Sequence, residues 1–247
     1  MTPVEILNAR FAPVTLEETV ELAMRQIKAG ERGYLCTVNV AILMMMREDP
    51  RLQRFVERAA IVVADGQPLI WSSRLLGRRL PERVAGVELV DRLCEAAARE
   101  GFGVYLLGGK QEVVEKVAER LRANSPNLRL VGVADGYFAG EEAAARAEAV
   151  ARSGAQIPIA AMGVPRQEYF LEEQWERVGV RFALGVGGSF DVLAGLRARA
   201  PVLIQKVGLE WLFRLAQEPG RLWKRYLVTN AQFLYLMSRE IAAARKP

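Results

Sequence analysis

The chain has 247 residues, 51% of them hydrophobic and 26% charged, a balance that can bury a sizeable core and argues against disorder. Histidine is absent, which removes Ser-His-Asp and Cys-His catalysis and any histidine-ligated metal. The two cysteines, Cys36 and Cys94, lack metal-ligand spacing and fit a reducing, cytoplasmic setting.

Aspartate occurs only at Asp49, Asp65, Asp91, Asp135 and Asp191, and no Asp-x-Asp pair exists. The usual carboxylate clamp for a metal-bound diphosphate is therefore missing. Any general base must be a carboxylate, Lys, Tyr or Cys. The net charge of +5 is uneven: residues 195–247 carry ten Lys/Arg against three acids, a patch suited to phosphates, nucleic acid or anionic lipid. No basic-then-apolar leader opens the chain, and no uncharged apolar run reaches the roughly 18 residues of a span, so neither a signal peptide nor a transmembrane helix is expected.

Residues 1–13 read as irregular or a short hairpin. Thr15 and Glu18 form a capping box for a helix over 15–29, with Leu16, Val20, Ala23 and Ile27 on one face. A buried strand, Tyr34 to Val38, precedes a helix opened near Asn39. Asp49-Pro50 starts the next helix. Ile61 to Ala64 is a strand ending in Asp65-Gly66, followed by helices over 67–76 and 86–99. Val104 to Leu107 runs into Gly108-Gly109 and a helix reaching Leu121. Strands at 128–133, 157–162 and 182–186 alternate with helices over 140–153 and 166–177. Pro158 inside one of these strands points to an edge position or a shifted start. The tail reads as helices over 201–216 and 219–240. Alternating strands and helices define an α/β fold with a parallel, Rossmann-like sheet and helices on both faces. We divide it into a core, residues 1–195, and a basic, apolar helical appendage, residues 196–247.

Ligands of open α/β sheets bind beyond the carboxyl ends of the strands. Four such ends stand out: Thr37-Val38-Asn39, Asp65-Gly66, Gly108-Gly109 and Gly187-Gly188. Glycines there let backbone approach a diphosphate at a helix N-terminus, although a plain tight turn has the same appearance. Gly108-Gly109 lacks the third glycine of a dinucleotide fingerprint. Asp65 at a strand tip is placed to take a proton from an attacking hydroxyl; by turn statistics alone, an Asp-Gly turn is the favoured reading. Asp135-Gly136 carries the same ambiguity, and Asp191 reads equally as a helix residue bonding its own backbone. Gln167 is a neutral partner for a sugar or base, whereas Glu168 in a first helical turn needs no function. In the tail, aromatics interleave with cations from Arg221 to Tyr226, as in an interfacial membrane element, an ordinary amphipathic helix, or a single-strand nucleic-acid binder. No nucleic-acid-binding motif accompanies it.

Ordered short motifs run through nearly the whole chain: Thr37-Val38-Asn39, Ala64-Asp65-Gly66-Gln67-Pro68, Glu82-Arg83-Val84-Ala85-Gly86, Leu106-Leu107-Gly108-Gly109 and Gly136-Tyr137-Phe138. Met162 to Glu168, Gly185 to Asp191, Arg199-Ala200-Pro201 and Gly208 to Leu215 continue the series. With these motifs the chain resembles the WecG/TagA/CpsF glycosyltransferases. The resemblance implies an inverting hexosyltransferase that moves N-acetylmannosamine or a related sugar from a UDP donor to a polyprenyl-diphosphate-linked N-acetylglucosamine. The pathway would be teichoic acid, capsule or another surface polysaccharide. It implies no metal and no cofactor beyond the UDP-sugar substrate. Asp65 would be the general base, with Thr37, Asn39 and Gln167 lining the sugar site. Gly108, Gly109, Gly136, Tyr137, Gly187 and Asp191 would contact the nucleotide, and Arg214 and Arg221 would offset diphosphate charge. The appendage would dock on the anionic inner face of the cell membrane. Nucleic acid is not an expected partner, and a homo-oligomer is left open. The competing readings are a non-catalytic membrane-surface module and a nucleotide-sugar oxidoreductase or epimerase; the latter lacks its dinucleotide fingerprint and Tyr-x-x-x-Lys pair.

Overall fold

The computed structural model describes residues 2–244, with the side chain of Arg221 excepted. The role expected of Arg221, and the tail cations Arg245 and Lys246, lie outside the described residues.

The chain opens with a two-stranded antiparallel hairpin, β1 (Val4–Ile6) and β2 (Ala9–Phe11). Helix α1 (Leu16–Ala29) comes next, with the capping box of Thr15 and Glu18 formed. Then come β3 (Gly33–Val38), α2 (Val40–Glu48), α3 (Pro50–Glu57), β4 (Ile61–Ala64), α4 (Gln67–Leu75) and α5 (Gly86–Glu100). Next are β5 (Gly103–Gly108), α6 (Gln111–Asn124), β6 (Arg129–Ala134), α7 (Ala143–Arg152), β7 (Ile157–Ala161), α8 (Arg166–Val178), β8 (Phe182–Gly185) and α9 (Ser189–Leu193). The tail folds as α10 (Val202–Lys206), α11 (Glu210–Gln217) and α12 (Pro219–Ala244).

Strands β3 to β8 form one six-stranded sheet in the order β4-β3-β8-β7-β5-β6, and all its pairs are parallel. A parallel sheet must be covered on both faces, and the strands alternate accordingly. Val62, Tyr105 and Leu107 point into a core shared with the hairpin, α2, α3, α8 and α12. Ile61, Val63, Val104 and Leu106 point into the other, shared with α1, α5, α6 and α9. The edge at β4 is not left bare: the Ala12 N–H donates to the Val62 carbonyl at 2.8 Å, which blocks edge-to-edge pairing. The expected Rossmann-like α/β fold is thus present.

Of the two alternatives for the N-terminal stretch, the short hairpin is the one formed. Two expectations change in detail. Pro158 is not at a sheet edge, because β7 lies between β8 and β5. It is the second residue of the strand, and pairing with β8 begins only at Ile159, so its missing N–H falls outside that ladder. The helix expected over 201–216 is broken into α10 and α11 at Gly208, whose φ of +67° ends the first segment. The ring of Trp71 lies against Gly208, where a Cβ would meet it at 2.6 Å.

Helix α12 is anchored on the core along its length. Phe233 and Met237 of α12 are buried in the same cluster as Leu43, Met44 and Met46 of α2. At the far end, the Leu7 N–H donates to the Glu240 carboxylate at 3.0 Å. Exposed apolar side chains nevertheless remain, among them Leu203, Trp223, Leu227 and Leu234. Among the described residues, no helix is long and apolar enough to cross a membrane.

Candidate active site

The carboxyl ends of all six parallel strands converge on one cleft of about 520 Å³. Backbone hydrogen bonds fix these tips in relation to one another. The Asp65 N–H donates to Val38 O at 2.9 Å, Val186 N–H to Ala160 O at 2.9 Å, Gly109 N–H to Ala161 O at 3.1 Å and Gly136 N–H to Gly109 O at 2.8 Å. The close approach of β5 and β6 needs glycine: a Cβ on Gly136 would lie 2.9 Å from the Gly108 Cα. Gly108 itself, at φ +152°, packs against the Ala161 backbone and is not among the cleft-lining residues, whereas Gly109, Gly136 and Gly187 are.

Asp65 stands at the tip of β4, partly exposed, among the residues that line the cleft. Its carboxylate makes no hydrogen bond among the described residues, and it does not cap α4, whose N-terminus has no side-chain cap. Burial raises its pKa above the ordinary aspartate value; Arg83 and Arg214 pull it back, while Glu210 and Glu88 push it up further. A smaller opening of about 80 Å³ adjoins the cleft, and Asp65, Asn39, Glu210, Arg214 and Tyr226 line both.

Thr37 is the last residue but one of β3, buried, with its hydroxyl donating to Gly185 O at 3.4 Å. Asn39 caps α2 by accepting from the Ile42 N–H at 3.1 Å, which leaves its amide NH₂ for a ligand. Gln167 is almost fully buried. Its carbonyl accepts from the Gly187 N–H at 3.0 Å and its NH₂ donates to Glu168 at 2.8 Å, so it holds the turn after β8. Tyr137 is 69% exposed in the cleft wall. Its loop is held by the Asp135 side chain, which accepts from the Tyr137 N–H at 2.9 Å, and by Arg166, which donates to Phe138 O at 2.6 Å. Asp191 lines the cleft paired with Arg197 at 3.2 Å.

Two features had no role assigned from the sequence. The first is an ionic network over Asp65. Arg83 pairs with Glu210 and, at 3.5 Å, with Glu88; Arg199 also pairs with Glu88; Arg214 pairs with Glu210 at 2.9 Å. Gln205 accepts from Arg83 at 2.8 Å and from Arg199 at 3.2 Å. Three cations meet two anions here, and the network stitches α10 and α11 to the core directly above the cleft. Arg83 and Glu210 are largely buried, so loss of either partner would strand a charge. The sequence signal was slight: Arg83, Arg199 and Glu210 sit within the matching motifs, with nothing to show that they meet.

The second is Glu168. It lies in the first turn of α8, as expected, but it is buried and its pKa is pushed up to about 7 by desolvation, against a lowering by Gln167. One of its oxygens, Oε2, has no hydrogen-bond partner among the described residues. Among the described residues there is no group of three His, Cys, Asp or Glu side chains arranged to hold a metal ion.

A parallel sheet whose strand tips meet at a glycine-lined cleft is the architecture of nucleotide-binding α/β proteins. Residues 4–247 match the glycosyl transferase WecG/TagA/CpsF family, and the chain belongs to it. The protein is therefore a glycosyltransferase of cell-surface polysaccharide synthesis, a class that joins a sugar-nucleotide donor to a lipid-linked acceptor.

Proposed function

We propose that the protein transfers N-acetylmannosamine, or a closely related sugar, from a UDP donor to a polyprenyl-diphosphate-linked N-acetylglucosamine, with inversion and without a metal. The observation that carries this reading is Asp65: a partly desolvated carboxylate with no hydrogen bond among the described residues, placed where two openings meet and flanked by arginines. In the reaction the acceptor hydroxyl oxygen forms the bond to the anomeric carbon. The bond from that carbon to the UDP oxygen breaks, and its electron pair leaves with UDP. The hydroxyl proton goes to Asp65. A raised pKa makes Asp65 a stronger base once ionised. Arg214, at the edge of the cleft, offsets the charge that develops on the diphosphate.

The nucleotide lies over Gly109, Gly136, Tyr137, Gly187 and Asp191, with the sugar toward Thr37, Asn39 and Gln167. Gln167 has both amide ends engaged, so it shapes this wall chiefly through the Gly187 turn. Residues 196–247 act as the unit that meets the anionic inner face of the cell membrane, where the lipid-linked acceptor resides. Exposed Leu203, Trp223 and Leu227 alongside lysine and arginine support that placement.

The test is UDP release from a panel of UDP-sugars, with and without a soluble diphosphate-linked N-acetylglucosamine and with EDTA present. Acceptor-dependent release from UDP-N-acetylmannosamine in EDTA is expected. Release that requires added divalent metal, or that ignores the acceptor, would overturn the reading.

A further inference from the structure

Glu168 has no part in the proposed proton transfer, yet a buried carboxyl lowers stability when it ionises. Burial pushes its pKa up to about 7, and no cation is among the causes of that shift. Its neighbour Gln167 is buried as well. Both stand in the first turn of α8, which begins at Arg166. Successive helix residues point about 100° apart and do not ordinarily face each other. Here both side chains fold onto the end of β8. A Cβ on Gly185 would lie 2.7 Å from Gln167 Nε2 and 3.6 Å from Glu168 Oε1. The missing Cβ lets the amide and the carboxyl share this spot, where Gln167 Nε2 donates to Glu168 Oε1 at 2.8 Å.

The chain of hydrogen bonds continues to the cleft. Gln167 Oε1 accepts from the Gly187 N–H at 3.0 Å. Gly187 requires an oxygen on one side of the amide and Glu168 requires an NH₂ on the other, so only one of the two flipped orientations satisfies both. Gly187, at φ +55°, lines the cleft together with Gly188, whereas Glu168 is not among the lining residues. Without the carboxyl, the Gln167 NH₂ is left buried with no acceptor, and the amide gains by turning away from Gly187. Glu168 Oε2 has no partner among the described residues. It is the oxygen free to carry a proton, so Oε1 remains an acceptor in either protonation state.

We propose that Glu168 is a positioning residue for the nucleotide: its carboxyl fixes the Gln167 amide, and the amide fixes the Gly187 N–H, so that residues 186–188 hold the shape on which a nucleoside diphosphate rests. Glu168 acts through Gln167 and touches no reacting atom. The role rests on the placement of the nucleotide over Gly187 given above and adds the group that sets that wall.

The experiment uses the full chain and measures UDP affinity by calorimetry, with donor KM and kcat from acceptor-dependent UDP release. Glu168→Leu keeps most of the volume and removes the acceptor. It should weaken UDP binding and raise donor KM by about tenfold, the worth of one hydrogen bond of ordinary strength, with kcat within about threefold of wild type. Glu168→Gln keeps an acceptor for Gln167 and should return UDP affinity and donor KM to within about twofold of wild type. Gln167→Leu should lose at least as much UDP affinity as Glu168→Leu. Adding Glu168→Leu to it should cost nothing further, because the two side chains act in series. Thermal melts check that each variant folds. Where Glu168→Leu does not, Glu168→Met fills the space with a more adaptable chain, and the Gln167→Leu measurement stands by itself. Wild-type UDP affinity in any of these apolar variants, additive losses in the double variant, a fall in kcat as large as the rise in KM, or no recovery in Glu168→Gln would overturn the role and leave sugar transfer standing. Wild-type protein that does not bind UDP would instead overturn the nucleotide placement, and the role with it.

Discussion

The same three residues, Ala-Asp-Gly, close the two outermost strands of the sheet, β4 at one edge and β6 at the other. Their aspartates have different occupations. Asp135 is spent locally: one carboxylate oxygen accepts from the Tyr137 N–H at 2.9 Å, and the other pairs with Arg146 at 2.7 Å. Asp65 has neither bond. The difference originates in the next stretch of chain. After Gly136 the chain turns into an irregular loop that needs an acceptor for its N–H groups. After Gly66 it enters α4 at once, with Pro68 in the first turn, and proline has no N–H to cap. The glycines differ as well. Gly136 is wedged against Gly108 and Met162, whereas a Cβ on Gly66 would meet only ordinary contacts at 3.8 Å and beyond. A free carboxylate at a strand tip therefore depends on the element after it relieving it of turn duty.

The largest expected effect sharpens that contrast. Asp65→Asn should lower turnover by about 10²–10⁴-fold, the usual contribution of a general base, while UDP binding is retained. Because the folded state raises the Asp65 pKa, its protonated form is favoured on folding, and that contribution is lost as pH rises through the raised pKa. The Asn variant should thus melt no lower than wild type at neutral pH. Turnover within a few-fold of wild type would remove Asp65 from the base role.

Glu168 is a third carboxylate near the strand tips, neither spent like Asp135 nor open to the cleft like Asp65. Its pKa rises from an ordinary 4.5 to about 7. The folded state therefore holds its proton between those values while the unfolded chain releases it. Stability from this group is full below about pH 4.5, declines up to about pH 7, and is flat above. The total is on the order of 3 kcal/mol. Glu168→Gln should flatten that slope and raise the melting temperature at pH 8, while Gln167 keeps its acceptor. Parallel melting curves against pH for the two proteins would show that Glu168 is not the titrating group.

The fold was legible because it rests on short-range patterns. Capping at Thr15, apolar alternation in the strands and glycine at strand tips are each written within a few residues. The site was only partly legible, for the same reason. Asp65, Thr37 and Asn39 sit at strand ends, and strand ends can be read. The pairing of Arg83 with Glu210 joins residues 127 positions apart, and no local pattern encodes it. Glu168 looked like a helix-dipole residue because its burial beside Gly185 and Cys36 is a property of packing. Whether each aspartate is engaged or free depends on Arg146 and Pro68, which lie outside both triplets.

The two glycines separate the strand tips more cleanly than the aspartates do, since no charge is involved. Gly136→Ala pushes a methyl into backbone at 2.9 Å and should destabilise by about 1–3 kcal/mol, as overpacking does. Gly66, whose φ of 176° is extended backbone, should accept Ala with a change of roughly 0.5 kcal/mol or less. Equal losses in urea melts would mean that the two strand tips are built alike.

The smallest effect is expected at Asp135 itself. Asp135→Ala removes the acceptor for the Tyr137 N–H and the partner of Arg146. Both side chains of the pair are partly exposed, at 20% and 31%, so water replaces much of what is lost and the cost should be about 1 kcal/mol. Asn at the same position can still accept from Tyr137 and should cost less than Ala. Turnover should stay within about twofold of wild type for both variants, because neither touches the proton transfer. KM for the donor is the sensitive readout: Tyr137 lines the cleft, and a loosened loop would weaken a nucleotide contact without slowing chemistry. A collapse in kcat comparable to that of Asp65→Asn would mean that the two triplets share the reaction, and that the ion pair with Arg146 is a resting state rather than an occupation.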